Sequence, residues 1–195
     1  MRQVRSRMDE QLVIRAQDGD QAAFAMLAVE VGPRFHAVAY RILRDVSLAE
    51  DAVQQALLDT WQDLPRLREP GRFSAWSYRL LIRVCYAQAR HARRRLPEVE
   101  LVETDVRATR DDYANIADRD QLDRGFQQLS VEQRAVVVLH HYLGLPVKDV
   151  AEVVDAPVET VRTRLKRAMA TLRSALQADA RHMTDDTQTY TEVVA

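Results

Sequence analysis

Hydrophobic residues recur at helical spacing along most of the chain. Residues 147–154 carry valine or alanine at positions i, i+3, i+4 and i+7, and residues 161–172 repeat an apolar stripe of the same kind. This spacing places the apolar side chains on one face of a helix. The few glycines and prolines lie between the periodic segments, where they act as helix breakers. The pattern predicts an all-α fold.

Capping and breaker residues divide the N-terminal half into short helices. A first helix is predicted over about 10–17, and Asp20 is positioned to cap the next one. The pair Gly32 and Pro33 predicts the end of that helix. Ser47 and Glu50 have the spacing of a capping box, which predicts that another helix begins there. A further helix is predicted from about 74 to 95, after a loop that contains two prolines and a glycine.

The C-terminal half contains clearer helix signals. Ser130 and Gln133 form a second predicted capping box. Gly144 is suited to a left-handed helix stop, and Asp155 lies in a predicted turn that ends at Pro157, near the first position of a long final helix. From about residue 180 the apolar periodicity is lost, which predicts a disordered tail.

These signals divide the chain into two small helical domains. We predict domains at 10–96 and 118–178, joined by a flexible acidic linker at 97–117, with an N-terminal extension at 1–9 and the tail at 179–195. A linker of about twenty residues could reach about 70 Å when extended. Such a linker would allow the two domains to bind at separate sites that are held apart.

Composition excludes several classes of protein. Cys85 is the only cysteine among 195 residues, so neither an internal disulfide nor a cysteine-based zinc site is expected. No segment has the length and apolarity of a signal peptide or a membrane helix, so we expect a cytoplasmic protein without membrane insertion. No glycine-rich phosphate loop and no nucleophile–base pattern is present. We therefore expect no catalytic residue, no metal and no cofactor.

Charge is distributed unevenly, although the net charge is only −1. Residues 70–97 contain seven arginines and no acid, whereas residues 45–64 contain acids and no base. The predicted linker is acidic, and a second basic block covers 162–173. Segregated blocks of opposite sign indicate several different partner surfaces.

The last two predicted helices have the pattern of a helix-turn-helix, in which the second helix is basic. Burial of its apolar stripe would turn its polar residues toward DNA, where arginine and lysine pair with phosphates or guanine edges. The candidate duplex contacts are Glu159, Thr160, Arg162, Thr163, Arg164, Lys166 and Arg167. The alternative is a solvated basic face on an ordinary helical hairpin.

The same half resembles a known family. Residues 129–136 (LSVEQRAV), 150–153 (VAEV) and 160–168 (TVRTRLKRA) resemble the promoter −35-binding domain of the extracytoplasmic-function sigma factors. One departure is Asp155, where the family usually has glycine. Aspartate tolerates the left-handed conformation better than most residues, so the turn is expected to persist.

The N-terminal half resembles the other domain of that family. The resemblance is carried by residues 22–24 (AAF), 39–45 (AYRILRD) and 49–56 (AEDAVQQA). It implies that the acidic helix docks on the clamp helices of the polymerase β′ subunit. The implied polymerase contacts are Glu50, Asp51, Gln54 and Gln55. Without the resemblance, an ordinary solvated face would be the preferred interpretation.

Residues 73–80 (FSAWSYRL) resemble the segment that reads the −10 element. Opened DNA exposes bases and phosphates, which aromatic and arginine side chains can bind. The candidate single-strand contacts are Arg72, Phe73, Trp76, Tyr78, Arg79, Arg83, Tyr86 and Arg90. The resemblance implies that the loop at 67–73 holds an extruded base. For Phe73, Trp76 and Tyr78 the alternative is packing in the core, and for Trp76 this alternative is preferred. Arg83 stands where the family commonly has asparagine.

Taken together, the resemblance implies a sigma factor that brings RNA polymerase to promoters and helps to melt them. The implied partners are core RNA polymerase (β′ clamp helices and β flap), promoter DNA and an anti-sigma factor. Two alternatives remain at this point. One is a stand-alone helix-turn-helix regulator that binds an operator as a dimer, and the other is a helical adaptor that does not bind DNA.

Overall fold

In a computed structural model of the protein, residues 2–95 and 122–193 are described, with side chains over 10–94 and 122–177. These residues form helices and turns and contain no strand, which confirms the all-α prediction. Within the same ranges, no helix combines the length and the apolarity that a membrane crossing requires.

Four helices build the N-terminal half: α1 (Arg2–Gln17), α2 (Gln21–Leu43), α3 (Val46–Asp63) and α4 (Phe73–Arg95). Two 3₁₀ turns, Leu64–Arg66 and Pro70–Arg72, connect α3 to α4. Helix α2 packs against the other three helices. Because α1 begins at Arg2, it also includes most of the segment that was predicted as an extension.

The C-terminal half contains a short helix α5 (122–127), then α6 (Val131–Val137), α7 (Val147–Val153) and α8 (Val158–Val193). A π-helical turn, Val138–Tyr142, continues α6. The buried side chains of α6, α7 and α8 pack together, as the apolar spacing predicts.

The prediction that Gly32 and Pro33 end the second helix is wrong, because α2 runs through both residues. Proline in a helix interior costs about 3 kcal/mol, since it lacks the donor N–H and crowds the preceding turn. Leu27 and Phe35, on either side of Pro33, are only 2% and 1% exposed. Each such burial contributes roughly 1.5–3 kcal/mol, so tertiary packing offsets the local cost.

One predicted capping box is wrong and the other is confirmed. Helix α3 begins at Val46, and its cap is Asp45, whose Oδ1 accepts a hydrogen bond from the Leu48 amide at 2.8 Å. Ser47 therefore lies inside the helix, because the carboxylate of Asp45, two residues earlier, already accepts the hydrogen bond of the free Leu48 amide. At α6, Ser130 and Gln133 exchange both hydrogen bonds of the box, at 3.2 and 2.9 Å.

The expected tail is also corrected, because α8 continues to Val193. No glycine or proline follows Pro157, so no residue interrupts the backbone hydrogen-bond pattern locally. The predicted linker at 97–117 lies outside the described residues, so its limits stay a prediction.

The two halves are in contact, although the sequence suggested sites held apart. Helix α2 packs on α6 and on its π-helical turn, while α4 packs on both α6 and α7. A single apolar cluster includes buried side chains from both halves, among them Ile42, Leu81, Leu139 and Val150.

Candidate nucleic-acid interface

A tight turn connects α7 to α8 and fixes the angle at which α8 leaves it. Asp155 adopts a left-handed conformation with φ 50°, as predicted. The amide of Ala156 donates to the carbonyl of Ala151 at 3.1 Å, and the amide of Val161 donates to the carbonyl of Pro157 at 3.1 Å. These bonds close one helix and open the next, which is the local geometry of a helix-turn-helix.

Helix α8 has one buried face and one exposed face. Val161, Leu165 and Ala168 are buried, as predicted. The opposite face carries the exposed residues Glu159, Arg162, Thr163, Lys166 and Arg167, with Thr160 half-buried. Six of the seven candidate duplex contacts therefore share one open surface at the N-terminal end of α8. Residues at that end are the ones that reach base edges when such a helix enters the major groove.

Arg164 differs from the other candidates. It is half-buried and lies close enough to Tyr86 and Glu132 for its charge to affect both groups. Burial raises the pKa of Tyr86 to about 12, and the positive charge of Arg164 acts in the opposite direction. Arg164 thus faces α4 and α6 instead of the open surface. Tyr86, the most distal aromatic candidate, lies on this inner side as well.

Four candidate arginines form an exposed row along α4 and the turn that precedes it. Arg79, Arg83 and Arg90 are exposed, and Arg72 is exposed just before the helix begins. Residues four and seven apart lie on one face of a helix, so the row follows the helix axis. From Arg79 to Arg90 it extends about 16 Å at 1.5 Å per residue.

Two of the aromatic candidates lie in the core, whereas Trp76 lies beside the arginine row. Phe73 and Tyr78 are 7% and 8% exposed, and the Tyr78 ring lies 5.4 Å from the ring of Phe35. Burial raises the pKa of Tyr78. Core packing is therefore the better interpretation for these two, and their contact with opened DNA stays a prediction. Tyr78 belongs to the larger of the two buried apolar clusters, and Phe73 belongs to the smaller one.

Trp76 is half-buried and lies on the arginine face, three residues before Arg79. Core packing was the preferred interpretation for this residue, but only part of its side chain is used in that way. Its remaining surface lines a cleft of about 180 Å³ together with Leu67, Arg72 and Arg79. The cleft thus joins an aromatic ring to cationic side chains, which is the combination that binds single strands.

Backbone hydrogen bonds and one glutamine hold the loop beside this cleft. The amide of Leu67 donates to the carbonyl of Leu64 at 3.0 Å. The amide of Arg72 donates to the carbonyl of Glu69 at 2.9 Å. Gln17 donates from Nε2 to the carbonyls of Leu64 and Leu67, at 3.1 and 2.6 Å. The loop is therefore anchored to α1, and this contact has no signal in the sequence.

Arg83 contacts the neighbouring acidic helix. Its guanidinium lies 3.4 Å from a carboxylate oxygen of Asp59, and Gln55 donates to the other oxygen at 2.7 Å. The residue that departs from the family pattern is thus partly engaged by α3. This pair connects the arginine row to the surface that was predicted to bind polymerase.

All four predicted polymerase contacts are exposed on α3. Glu50, Asp51, Gln54 and Gln55 form its outer surface, while Ala49, Ala52 and Ala56 pack beneath them. An apolar groove that the sequence did not indicate lies beside Gln54. Its lining includes Phe24, Leu57, Leu58 and Trp61, and Leu58 is 48% exposed.

Histidines do not assemble a metal site in the described part of the chain. No group of three His, Cys, Asp or Glu side chains that could hold a metal ion occurs there. The Nδ1 atom of His140 lies 2.8 Å from the carbonyl oxygen of Leu145. This histidine therefore supports the turn after α6.

Comparison with known proteins identifies both halves. The model of Sigma-70 region 2 matches residues 27–95, and the model of Sigma-70 region 4 matches residues 119–172. The chain is 30% identical to the RNA polymerase sigma-H factor of Pseudomonas aeruginosa, over 87% of this chain and 94% of that protein. This chain belongs to the extracytoplasmic-function family of sigma factors.

Other relatives of this sigma factor agree. It is 29% identical to the ECF RNA polymerase sigma factor SigM of Mycobacterium tuberculosis, over 87% of this chain and 85% of that one. It is 28% identical to the ECF RNA polymerase sigma-E factor of Escherichia coli, over 87% and 94%. These matches span both regions, so they exclude the stand-alone regulator and the adaptor.

Two solved structures share the fold of this sigma factor. One shows CnrH in complex with the cytosolic domain of CnrY, with a TM-score of 0.65 at 24% identity over 88% of this chain and 98% of that one. The other shows the sigma factor RpoE with the anti-sigma factor NepR from Bartonella quintana, with a TM-score of 0.66 at 24% identity over 80% and 98%. As a sigma factor, the protein binds core RNA polymerase and promoter DNA and directs transcription initiation.

Proposed function

We propose that this sigma factor divides promoter binding between two basic helix faces, one in each half of the chain. The exposed face at the N-terminal end of α8 reads the −35 element as a duplex. The outer face of α4 and the cleft beside it hold the opened −10 strand. The observation that carries this proposal is the exposed row of Arg72, Arg79, Arg83 and Arg90 with Trp76 beside it.

The opened strand needs both kinds of side chain that the cleft provides. Arg72 and Arg79 supply positive charge for the phosphates, and Trp76 supplies an aromatic surface for a base. Duplex DNA keeps its bases stacked inside, so this arrangement favours melted DNA. We therefore assign α4 to promoter opening and not to duplex recognition.

The α8 surface suits a duplex. Lys166 and Arg167 are exposed and can neutralise phosphates. Thr163 lies between these two residues around the helix axis, and it can reach a phosphate or a thymine methyl group. Arg162 forms an ion pair with Glu159, which holds its guanidinium at the end of the helix that enters the groove. We exclude Arg164 from this set because it faces the protein interior.

Polymerase docking is assigned to α3. Glu50 and Asp51 give its outer surface negative charge, and Gln54 and Gln55 add hydrogen-bonding groups. Such a surface complements a basic helix pair, and we propose the β′ clamp helices as its partner. We also propose that the C-terminal half contacts the β flap. The protein would act in the cytoplasm, where the chromosome is transcribed, and would leave all catalysis to polymerase.

We also propose control by an anti-sigma factor. This chain has the fold of CnrH, whose structure was solved with the cytosolic domain of CnrY, and of the sigma factor RpoE, whose structure was solved with the anti-sigma factor NepR. A pull-down of the full chain from its native cells should recover an inhibitor under some growth condition. Recovery of polymerase without any inhibitor under all conditions would contradict the proposal.

Run-off transcription tests the main assignment. Core polymerase with this sigma factor should start transcripts at defined sites in a genomic promoter library, whereas core alone should not. Replacing Arg79 and Arg83 together by alanine should reduce open-complex formation without loss of polymerase binding. Arg15→Ala is the matched control, because Arg15 is an exposed, ion-paired arginine on α1. Normal promoter opening by the double variant would refute the assignment of α4.

A further inference from the structure

One acid lies among basic and hydroxyl side chains at the end of α8 that is assigned to the DNA groove. Glu159 belongs to the first turn of α8, and its side chain is 78% exposed. The other exposed residues of this face are Arg162, Thr163, Lys166 and Arg167. A carboxylate at this place repels phosphates, so general attraction to DNA does not explain its presence.

Stabilisation of the helix is the simplest alternative role for Glu159. A negative charge in the first turn of a helix interacts favourably with the helix dipole. Glu159 also forms an ion pair with Arg162, three residues later on the same helix. Both effects are independent of the DNA sequence. They therefore predict that removal of this charge leaves the base preference of the protein unchanged.

The ion pair leaves both of its side chains available to DNA. Nη1 of Arg162 donates to Oε1 of Glu159, and the Arg162 side chain is 61% exposed. Among the described residues, neither side chain forms a second hydrogen bond with the protein. Exposed ion pairs are weak in water. The free carboxylate oxygen and the remaining guanidinium N–H groups can therefore turn toward a base edge.

The C·G base pair matches the order of these groups. In the major groove it presents the N4 amino donor of cytosine, followed by the O6 and N7 acceptors of guanine. A carboxylate oxygen beside two guanidinium N–H groups has the complementary order of one acceptor and two donors. An A·T pair instead presents its one donor between two acceptors and adds a methyl group. The ion pair matches that edge less completely.

We propose that Glu159 and Arg162 together read one C·G pair of the −35 element. Glu159 accepts a hydrogen bond from cytosine N4, and Arg162 donates to O6 and N7 of the paired guanine. The inference rests on the assignment of α8 to the −35 duplex and adds which base pair its first turn selects. Lys166 and Arg167 lie about one turn further along the helix, where they bind phosphates and position α8 without selecting this base pair.

The test measures base preference with the complete holoenzyme. A promoter from the run-off screen is rebuilt with every base pair of its −35 element randomised, and the bound and unbound DNA are sequenced. Wild type should enrich a C·G pair at one position by about five- to hundredfold over the other base pairs. Absence of such a position would refute the proposal.

Glu159→Gln removes the charge and keeps the size of the side chain. A glutamine amide presents one donor and one acceptor, which match N7 and N6 of adenine. We therefore expect the C·G preference to fall by about fivefold or more and an adenine-containing pair to gain at the same position. The matched control is Asp149→Asn, which removes an exposed acid from α7. It should raise the affinity for all sequences about equally.

Arg162→Lys keeps the positive charge but loses the planar fork that forms two parallel hydrogen bonds with guanine. It should weaken the preference at the same base pair that Glu159→Gln affects, while the salt dependence of binding stays nearly the same. Effects of the two variants at different positions would refute reading as a unit. An unchanged preference in Glu159→Gln, with only a uniform gain in affinity, would show that this acid acts on the helix alone.

A third variant separates failure of this inference from failure of the assignment on which it rests. The double variant Lys166→Gln, Arg167→Gln is measured on the same promoter. If it lowers the salt dependence while Glu159→Gln leaves the base preference unchanged, only the C·G assignment fails. If neither variant alters salt dependence or preference, the assignment of α8 to the −35 element fails as well. Loss of the same C·G preference in Glu159→Gln and Arg162→Lys supports both proposals.

Discussion

Neutralising two charges on α8 should change the salt dependence of promoter binding by a calculable amount. Lys166 and Arg167 are both exposed, and as consecutive helical residues they point about 100° apart, one to each side of Thr163. Each phosphate contact contributes about 0.9 to the slope of log K against log salt concentration. The double variant Lys166→Gln, Arg167→Gln should therefore lower the slope by about 1.8.

A slope change of this size is easy to measure. Between 50 and 200 mM salt, the affinity advantage of the wild type over the variant should shrink about twelvefold. Holoenzymes made with saturating core polymerase would be titrated against a promoter duplex found in the run-off screen. Contacts made by polymerase itself are common to both holoenzymes and cancel in the comparison.

The control variant for this experiment lies on the same helix. Arg173 is also exposed on α8, but it lies about 10 Å further along the axis than Lys166. Arg173→Gln should therefore leave the slope nearly unchanged. Equal slopes for wild type and the double variant would show that this surface does not contact phosphates, and the assignment of α8 to the −35 element would fail.

Four other results are expected. Arg79→Ala should slow promoter melting, followed by permanganate reactivity of unpaired thymines, and unchanged melting would argue against a role in opening. Leu139→Ala should lower the free energy of unfolding by about 2–5 kcal/mol in urea titrations, because this side chain is fully buried. Asp45→Ala should cost about 1 kcal/mol and Ser47→Ala almost nothing, since the first residue caps α3 and the second does not; the reverse order would restore the capping box. Burial raises the pKa of Cys85 from 9.0 to about 12, so its thiol should resist alkylation at pH 8 until the protein unfolds. The unfolded state loses this proton first, so the stability contributed by the thiol is present below pH 9 and is lost as pH rises toward 12.

Local sequence signals were sufficient wherever a feature depends on residues within one or two turns. The capping box at Ser130, the left-handed positions of Gly144 and Asp155, and the buried stripe of α8 were all predicted correctly. Each of these features requires only a side chain and its near neighbours, so tertiary packing had little to change. For the same reason, the exposed face of the helix-turn-helix could be predicted from the sequence.

Local signals failed where distant packing outweighed them. Pro33 is a strong helix breaker by itself, yet α2 continues because Leu27 and Phe35 are buried on both sides of it. The aromatic candidates are a second case. The residue types at Phe73, Trp76 and Tyr78 suit both a core and a nucleic-acid surface, and only the orientation of α4 against α2 separates them.

The sequence by itself determined the all-α class, the two-region organisation and which face of α8 is open, because helical periodicity assigns apolar and polar positions to opposite sides. Only the tertiary structure decided what covers each face. It buried Phe73 and Tyr78, left Trp76 beside the arginines, turned Arg164 inward and placed Glu152 against Arg72. Those outcomes depend on contacts between residues far apart in the chain, and the spacing of residues along one helix does not specify which other helix will pack against it.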